Sequence, residues 1–184
     1  MTDTPAVAAT RRWVQSFIAD LDLCPFAQRE LRAGRVRFCP TDARSDAELL
    51  QALQDELQRL QDQPDIETTL LIHPDVLQRF DDYNQFLDLA DALLEDLELD
   101  GVFQIASFHP DYQFADTEPG DAENYTNRSP YPLLHILRED SLERAIASYP
   151  DVDGIPERNI ARMNALGSAQ LQALWRGCLD DATG

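Results

Sequence analysis

Apolar residues recur along the chain with two periods, and the switches between them predict its elements. Trp13, Val14, Phe17, Ile18 and Leu21 form one stripe of a first helix, because side chains three and four apart share a helix face. The stripe stops at Leu23-Cys24-Pro25, where a second short helix is expected with Pro25 in its first turn. Val36-Arg37-Phe38 reads as a short strand. Ser45 and Glu48 form a capping box ahead of Leu49, Leu50, Leu53, Leu57 and Leu60, which share a second helix face. A β-rich run from Thr68 to His73 ends at Pro74. Asp75 then caps a helix, with Gln78 at its third position, that buries Phe80, Tyr83, Leu87, Ala90, Leu94 and Leu97. Gly101 closes it in the left-handed cap position. Val102 to Phe108 is a third strand, ended by His109-Pro110, and Leu133 to Arg138 a fourth. Asp140 with Glu143 opens a helix through Ala147, and residues 155–166 and 169–179 predict a closing helical pair.

Strands alternating with long helices imply β-α-β units with right-handed crossovers. The expected architecture is α/β or α+β in a single domain. A helical segment covers residues 5–32, and an α/β body over residues 35–149 holds a four-stranded, mixed, largely parallel sheet packed by helices. The helical pair completes it over residues 155–179. No helix separates the third and fourth strands, which leaves room for an antiparallel pair there.

Composition changes the picture in three ways. A hydrophobic fraction of 43% over 184 residues is enough for a packed core and excludes wholesale disorder. The longest apolar runs are only a few residues, so no membrane span is expected. The start Met1-Thr2-Asp3-Thr4-Pro5 lacks the features of an export signal, so a cytoplasmic protein is expected. The formal net charge is −19 and every one of the 15 basic residues is arginine. That balance disfavours nucleic acid, whose binding needs basic groups to displace counterions. Residues 42–100 hold three arginines against seventeen acids, interleaved with leucines, which reads as solvated helix faces. The alternative reading is an acidic interaction module that docks a basic protein surface. Cys24, Cys39 and Cys178 have no metal-type or disulfide-framework spacing. Nothing in the pattern sets the oligomeric state.

The first three strands end in Cys39-Pro40, His73-Pro74 and His109-Pro110. In α/β sheets ligands gather beyond the carboxyl ends of the parallel strands, so a thiol and two imidazoles are expected at one edge. His135, the third and last histidine, lies inside the fourth strand. His73 and His109 are therefore candidates for an acid–base pair, or for ligands of a divalent metal. The competing reading is that each histidine caps a strand end on backbone. The long segment 110–132 carries Tyr112, Phe114, Tyr125 and Tyr131, which suits an ordered lid rather than a disordered loop. Arg128, alone between Arg79 and Arg138 and beside Asn127, is a candidate anchor for a carboxylate or phosphate. It is equally a candidate partner for Asp111, Asp116 or Asp121. Cys24, expected at a helix start, is a candidate low-pKa thiol or an inert cysteine between two helices.

Three strings extend this reading: Leu23-Cys24-Pro25-Phe26-Ala27, the run from Phe103 to Phe114, and Asn127-Arg128-Ser129-Pro130-Tyr131-Pro132. They resemble a bacterial family of uncharacterised proteins of about this length, and the similarity extends through Ile155-Pro156-Glu157-Arg158-Asn159-Ile160. The resemblance implies a cytosolic domain of unknown function and assigns no catalytic residue.

The leading expectation is a small cytosolic enzyme acting on a small anionic metabolite at the carboxyl edge, beneath the 110–132 loop. His109 is its acid–base group, with His73 as partner or co-ligand and Asp111 orienting an imidazole. Arg128 and Asn127 bind substrate, and Tyr112 and Tyr125 wall the pocket. A thiol-dependent enzyme using Cys24 is a further alternative.

Overall fold

The computed structural model describes residues 3–180. Thr4 accepts a hydrogen bond from the Val7 N–H at 3.3 Å and Pro5 takes the first turn of α1 (Pro5–Trp13), where a missing N–H costs nothing. The helix continues as a π-helical stretch, Val14–Ala19, that keeps Val14 and Phe17 buried. α2 (Ala27–Arg32) starts later than expected, because Pro25 and Phe26 lie in the turn that precedes it. β1 (Val36–Pro40) and α3 (Asp46–Asp62) follow. Ser45 caps α3 by accepting the Glu48 N–H at 3.3 Å, while the Glu48 carboxylate turns back to the Arg44 N–H at 2.7 Å.

β2 (Thr68–Ile72) leads into a loop and then α4 (Phe80–Asp96). Both ends of α4 differ from expectation. Arg79, not Asp75, is the N-cap, because residues 74–79 are drawn into a separate clasped loop. At the other end the left-handed residue nearest the helix is Glu98 (φ 56°), with Gly101 (φ 77°) three residues on. β3 (Phe103–Phe108) and β4 (Leu133–Arg138) flank a loop that contains a short 3-10 helix, Ala122–Thr126. α5 (Glu139–Ser148), α6 (Ile155–Leu166) and α7 (Ser168–Asp180) complete the described chain.

The sheet is four-stranded and mixed as expected, in the order β1-β2-β4-β3. Its ladders are mostly antiparallel rather than largely parallel. β1 pairs β2 in parallel, but β4 inserts between β2 and β3 and runs against both. The physical reason is the connection from β3 to β4, which contains no crossover long helix to return the chain to the far end of the sheet. The insertion preserves one expected feature. β1, β2 and β3 still point the same way, so their carboxyl ends share one edge. Pro40 is level with Ile72, and both Ile72 and Phe108 are level with Leu133.

Alternation along the strands divides the core in two. Leu71, Phe103, Leu134 and Ile136 face α3 and α4, where Leu49, Leu53, Leu57, Tyr83, Phe86 and Leu94 close the layer. Leu70, Ile72 and Leu133 face the other way, onto Trp13, Phe17, Met163 and Leu171 of the helices at the two ends of the chain. The acids of α3 and α4 lie mainly on the outer, exposed side of the first layer. Glu56 is the exception: it is 4% exposed and held by Arg37 at 2.7 Å and Arg59 at 3.2 Å.

Candidate functional site

Strand parity decides which histidines meet. His73 follows Ile72 and His109 follows Phe108, both residues of the second face, so both imidazoles turn toward α4. There they surround Tyr83. Its ring lies stacked on His73 at a centroid distance of 5.8 Å and tilted against His109 at 5.1 Å. Phe80 packs on His109 at 5.5 Å and on Tyr112 at 5.1 Å, extending the cluster into the long loop. Tyr83 donates from its hydroxyl to the Leu133 carbonyl (2.8 Å) and accepts the Phe108 N–H (2.9 Å), so it bridges the ends of β3 and β4. Burial pushes its phenol far above the ordinary value, so it acts only as a neutral hydroxyl.

The two imidazoles have different hydrogen-bond states. His109 accepts the Asp111 N–H at Nδ1 (3.0 Å), so its proton sits on Nε2 and is donated to the Leu77 carbonyl at 3.0 Å. Both of its nitrogens are used. His73 contacts the Val76 carbonyl through Nδ1 at 3.1 Å, which places its proton there. Its Nε2 is then a bare acceptor, buried and without a partner among the described residues. Both residues are fully buried. Burial lowers both pKa values, that of His73 to about 4, with His109 nearby as a lesser cause. Each ring is therefore neutral at neutral pH.

The two carbonyls they hold, Val76 and Leu77, belong to the Pro74–Arg79 loop. The Gln78 amide clasps the same loop from within, on the Pro74 carbonyl at 2.6 Å and the Val76 carbonyl at 3.4 Å. Leu77 adopts φ 56°, a left-handed conformation that costs a branched residue about 1–2 kcal/mol. Strain of this kind clusters at ligand clamps and switches. Beside the loop is a polar cavity of about 800 Å³, lined by Leu77, Gln78, Arg79, Asp82 and Phe86 among others. Arg79 is 74% exposed there, with Asp81 and Asp82 carboxylates no nearer than 3.7 Å and 3.9 Å.

The remaining candidates occupy other positions. Arg128 is bonded to backbone rather than to Asp111, Asp116 or Asp121: it donates to the Tyr112 carbonyl (3.0 Å) and the Pro119 carbonyl (2.8 Å), over the Tyr125 ring at 4.9 Å. It is a staple of the long loop. Arg128→Ala is expected to lower stability by about 1–3 kcal/mol, because carbonyl bonds to a charged donor are lost; thermal melting measures it. Asn127 ties the loop to the sheet, accepting the His109 N–H (3.2 Å) and donating to the Ser107 carbonyl (3.0 Å). Asp111 orients His109 through its backbone N–H, while its carboxylate raises the ring's pKa slightly against burial.

His135 faces the opposite side of the sheet, bonded at Nε2 to the Thr68 hydroxyl (2.7 Å), and its pKa is pushed down to about 4 by burial. It cannot reach the other two. Cys39 lies beside Arg37 and Glu56 rather than the imidazoles, and burial raises its thiol to about 11. The backbone N–H groups of Phe26 and Ala27 favour the Cys24 thiolate, but burial outweighs them and the thiol pKa is raised. Iodoacetamide labelling of Cys24 is therefore expected to reach its midpoint above pH 9, which a pH series followed by mass spectrometry checks. No group of three or more histidine, cysteine or acidic residues among the described residues is arranged to hold a metal ion.

Three participants were not visible as such in the sequence. Tyr83 looked like one more apolar position of α4, although a buried tyrosine hydroxyl needs a partner and that need was the available signal. Asn124, fully buried, ties the long loop by accepting from Phe114 and Thr117 at 2.9 Å each and donating to Glu118 at 2.8 Å. Leu77 carried no signal, since its importance lies in its backbone.

Residues 5–173 match the family described as protein of unknown function (DUF1415), and the chain belongs to that family. No curated protein and no solved structure matches the chain.

Proposed function

We propose that this DUF1415 family member is a cytoplasmic enzyme acting on a small polar molecule at the carboxyl edge of its sheet, with His73 Nε2 as the proton acceptor. The observation that carries the reading is that nitrogen. It is a fully buried acceptor without a donor, beside a second neutral imidazole, in a core whose other histidines are bonded at Nε2. Leaving such a group unpaired costs about 1–3 kcal/mol, and a substrate hydroxyl or amine satisfies it.

The tautomer suits the role. The Val76 carbonyl holds the proton on Nδ1 and so keeps the lone pair on Nε2. Depressed basicity keeps that lone pair available through the neutral range. His109 and Tyr83 fix the ring from its flanks and act as positioning residues. Arg79, the exposed cation of the neighbouring cavity, supplies the charge complement to an anionic substituent in place of Arg128.

The test is ligand capture. The full chain and its His73→Asn variant are equilibrated with a desalted small-molecule cell extract, and retained compounds are identified by mass spectrometry. A compound held by the native chain and released by the variant, with melting temperature preserved, is the expected result. Retention of the same compounds by both proteins, or of none by either, overturns the reading.

A further inference from the structure

We propose that the Pro74–Arg79 loop is a lid over His73, latched shut by His109 through the Leu77 carbonyl. The inference rests on the reading of His73 as the acceptor and adds how access to it is regulated.

The argument starts from position. His73 Nε2 is buried and His73 does not line the polar cavity, whereas the loop residues Leu77, Gln78 and Arg79 do. A molecule in that cavity touches the loop and not the imidazole. The loop is held by side chains: His73 on Val76, His109 on Leu77, and Gln78 on Pro74 and Val76. Side-chain tethers of this kind release one at a time, unlike a strand ladder.

Leu77 supplies the opposing tendency. Its left-handed backbone (φ 56°) is strained in this structure, and an opened loop is free to relieve it. Val76, 7% exposed in the first core layer, pulls the other way and keeps the closed state dominant. The latch is itself preset. The Asp111 N–H on Nδ1 fixes the tautomer that presents an N–H to Leu77. His109 thus connects the long 110–132 segment to the lid. Two elements that are far apart in sequence meet on one ring.

Carbethoxylation of neutral imidazoles by diethyl pyrocarbonate, read residue by residue by mass spectrometry at pH 7.5, tests the lid directly. The chain has three histidines, and His135, half-buried on the opposite face and bonded at Nε2 to the Thr68 hydroxyl, reports loss of the fold. In the native chain His73 labels slowly. Gln78→Ala alters an exposed side chain and removes two clasps; it is expected to accelerate His73 at least about fivefold with His135 unchanged. His109→Ala is expected to accelerate it by about tenfold or more. Where His109→Ala also accelerates His135, it has lost the fold, and Gln78→Ala alone decides. Unchanged His73 labelling in Gln78→Ala, or acceleration of His73 and His135 together there, overturns the lid. A failed ligand capture with intact labelling differences instead overturns the enzyme reading alone.

Discussion

Acidification from pH 7.5 to pH 5 is expected to remove about 4 kcal/mol of folding stability through His73 and His135 alone. Desolvation lowers both rings, His73 fully buried and His135 half-buried, from the ordinary 6.5 to about 4. The unfolded chain therefore binds protons as the pH falls through 6.5, while the folded chain stays unprotonated at these sites until about pH 4. Stability that is complete above pH 6.5 is lost across that window, at about 2 kcal/mol per ring by pH 5. His109, lowered in the same direction, adds to the loss. Protonation of carboxylates relieves part of the −19 charge, but chiefly below pH 5, so it does not cancel the effect within the window. Urea unfolding at half-unit pH steps measures the slope, and His135→Leu is expected to reduce it by about one proton. A flat or rising stability between pH 6.5 and 5 contradicts neutral buried imidazoles.

Tyr83→Phe is expected to cost about 2–4 kcal/mol, equivalent to a fall of about 5–12 °C in melting temperature for a chain of this size. The substitution keeps the ring that stacks on His73 and removes only the hydroxyl. That hydroxyl stands between Phe108 and Leu133, an opposed pair at the end of the β3–β4 ladder. Without it, a backbone N–H and a backbone carbonyl beside the fully buried Leu133 lose their partner together. A change of under about 2 °C means that water replaces the hydroxyl freely, and Tyr83 then has no part in joining the strands. The same variant keeps the packing of both imidazoles, so it separates the strand junction from the site beside it.

The strand ends were legible because two His-Pro pairs interrupt β-rich runs, and proline cannot donate to a ladder. Those ends, with strands pointing one way, imply one sheet edge for His73 and His109 but leave open whether they converge; the structure brings both onto the Tyr83 ring. The separation of His135 follows from the period of two along a strand, once β4 is known to be central. Strand order was not legible, since the same segments allow β4 at the edge or between β2 and β3, and the choice depends on which faces the helices cover. Arg128 shows the other limit. Its isolation in an acidic stretch suggested a ligand, yet its partners are the carbonyls of Tyr112 and Pro119, groups every residue carries and no composition reveals. The same holds for the loop after His73, where the deciding features are the Leu77 backbone angle and two carbonyls.

The central claim is that His73 presents an unpartnered Nε2 lone pair, and nitrogen-15 NMR of histidine-labelled full-length chain tests it most directly. With three rings in the chain, long-range correlations assign a tautomer to each. The account predicts a His73 ring protonated at Nδ1, with an Nε2 resonance of the unprotonated, unbonded type that persists down to pH 5. A His73 ring that is protonated at Nε2, or that becomes doubly protonated above pH 6, contradicts it.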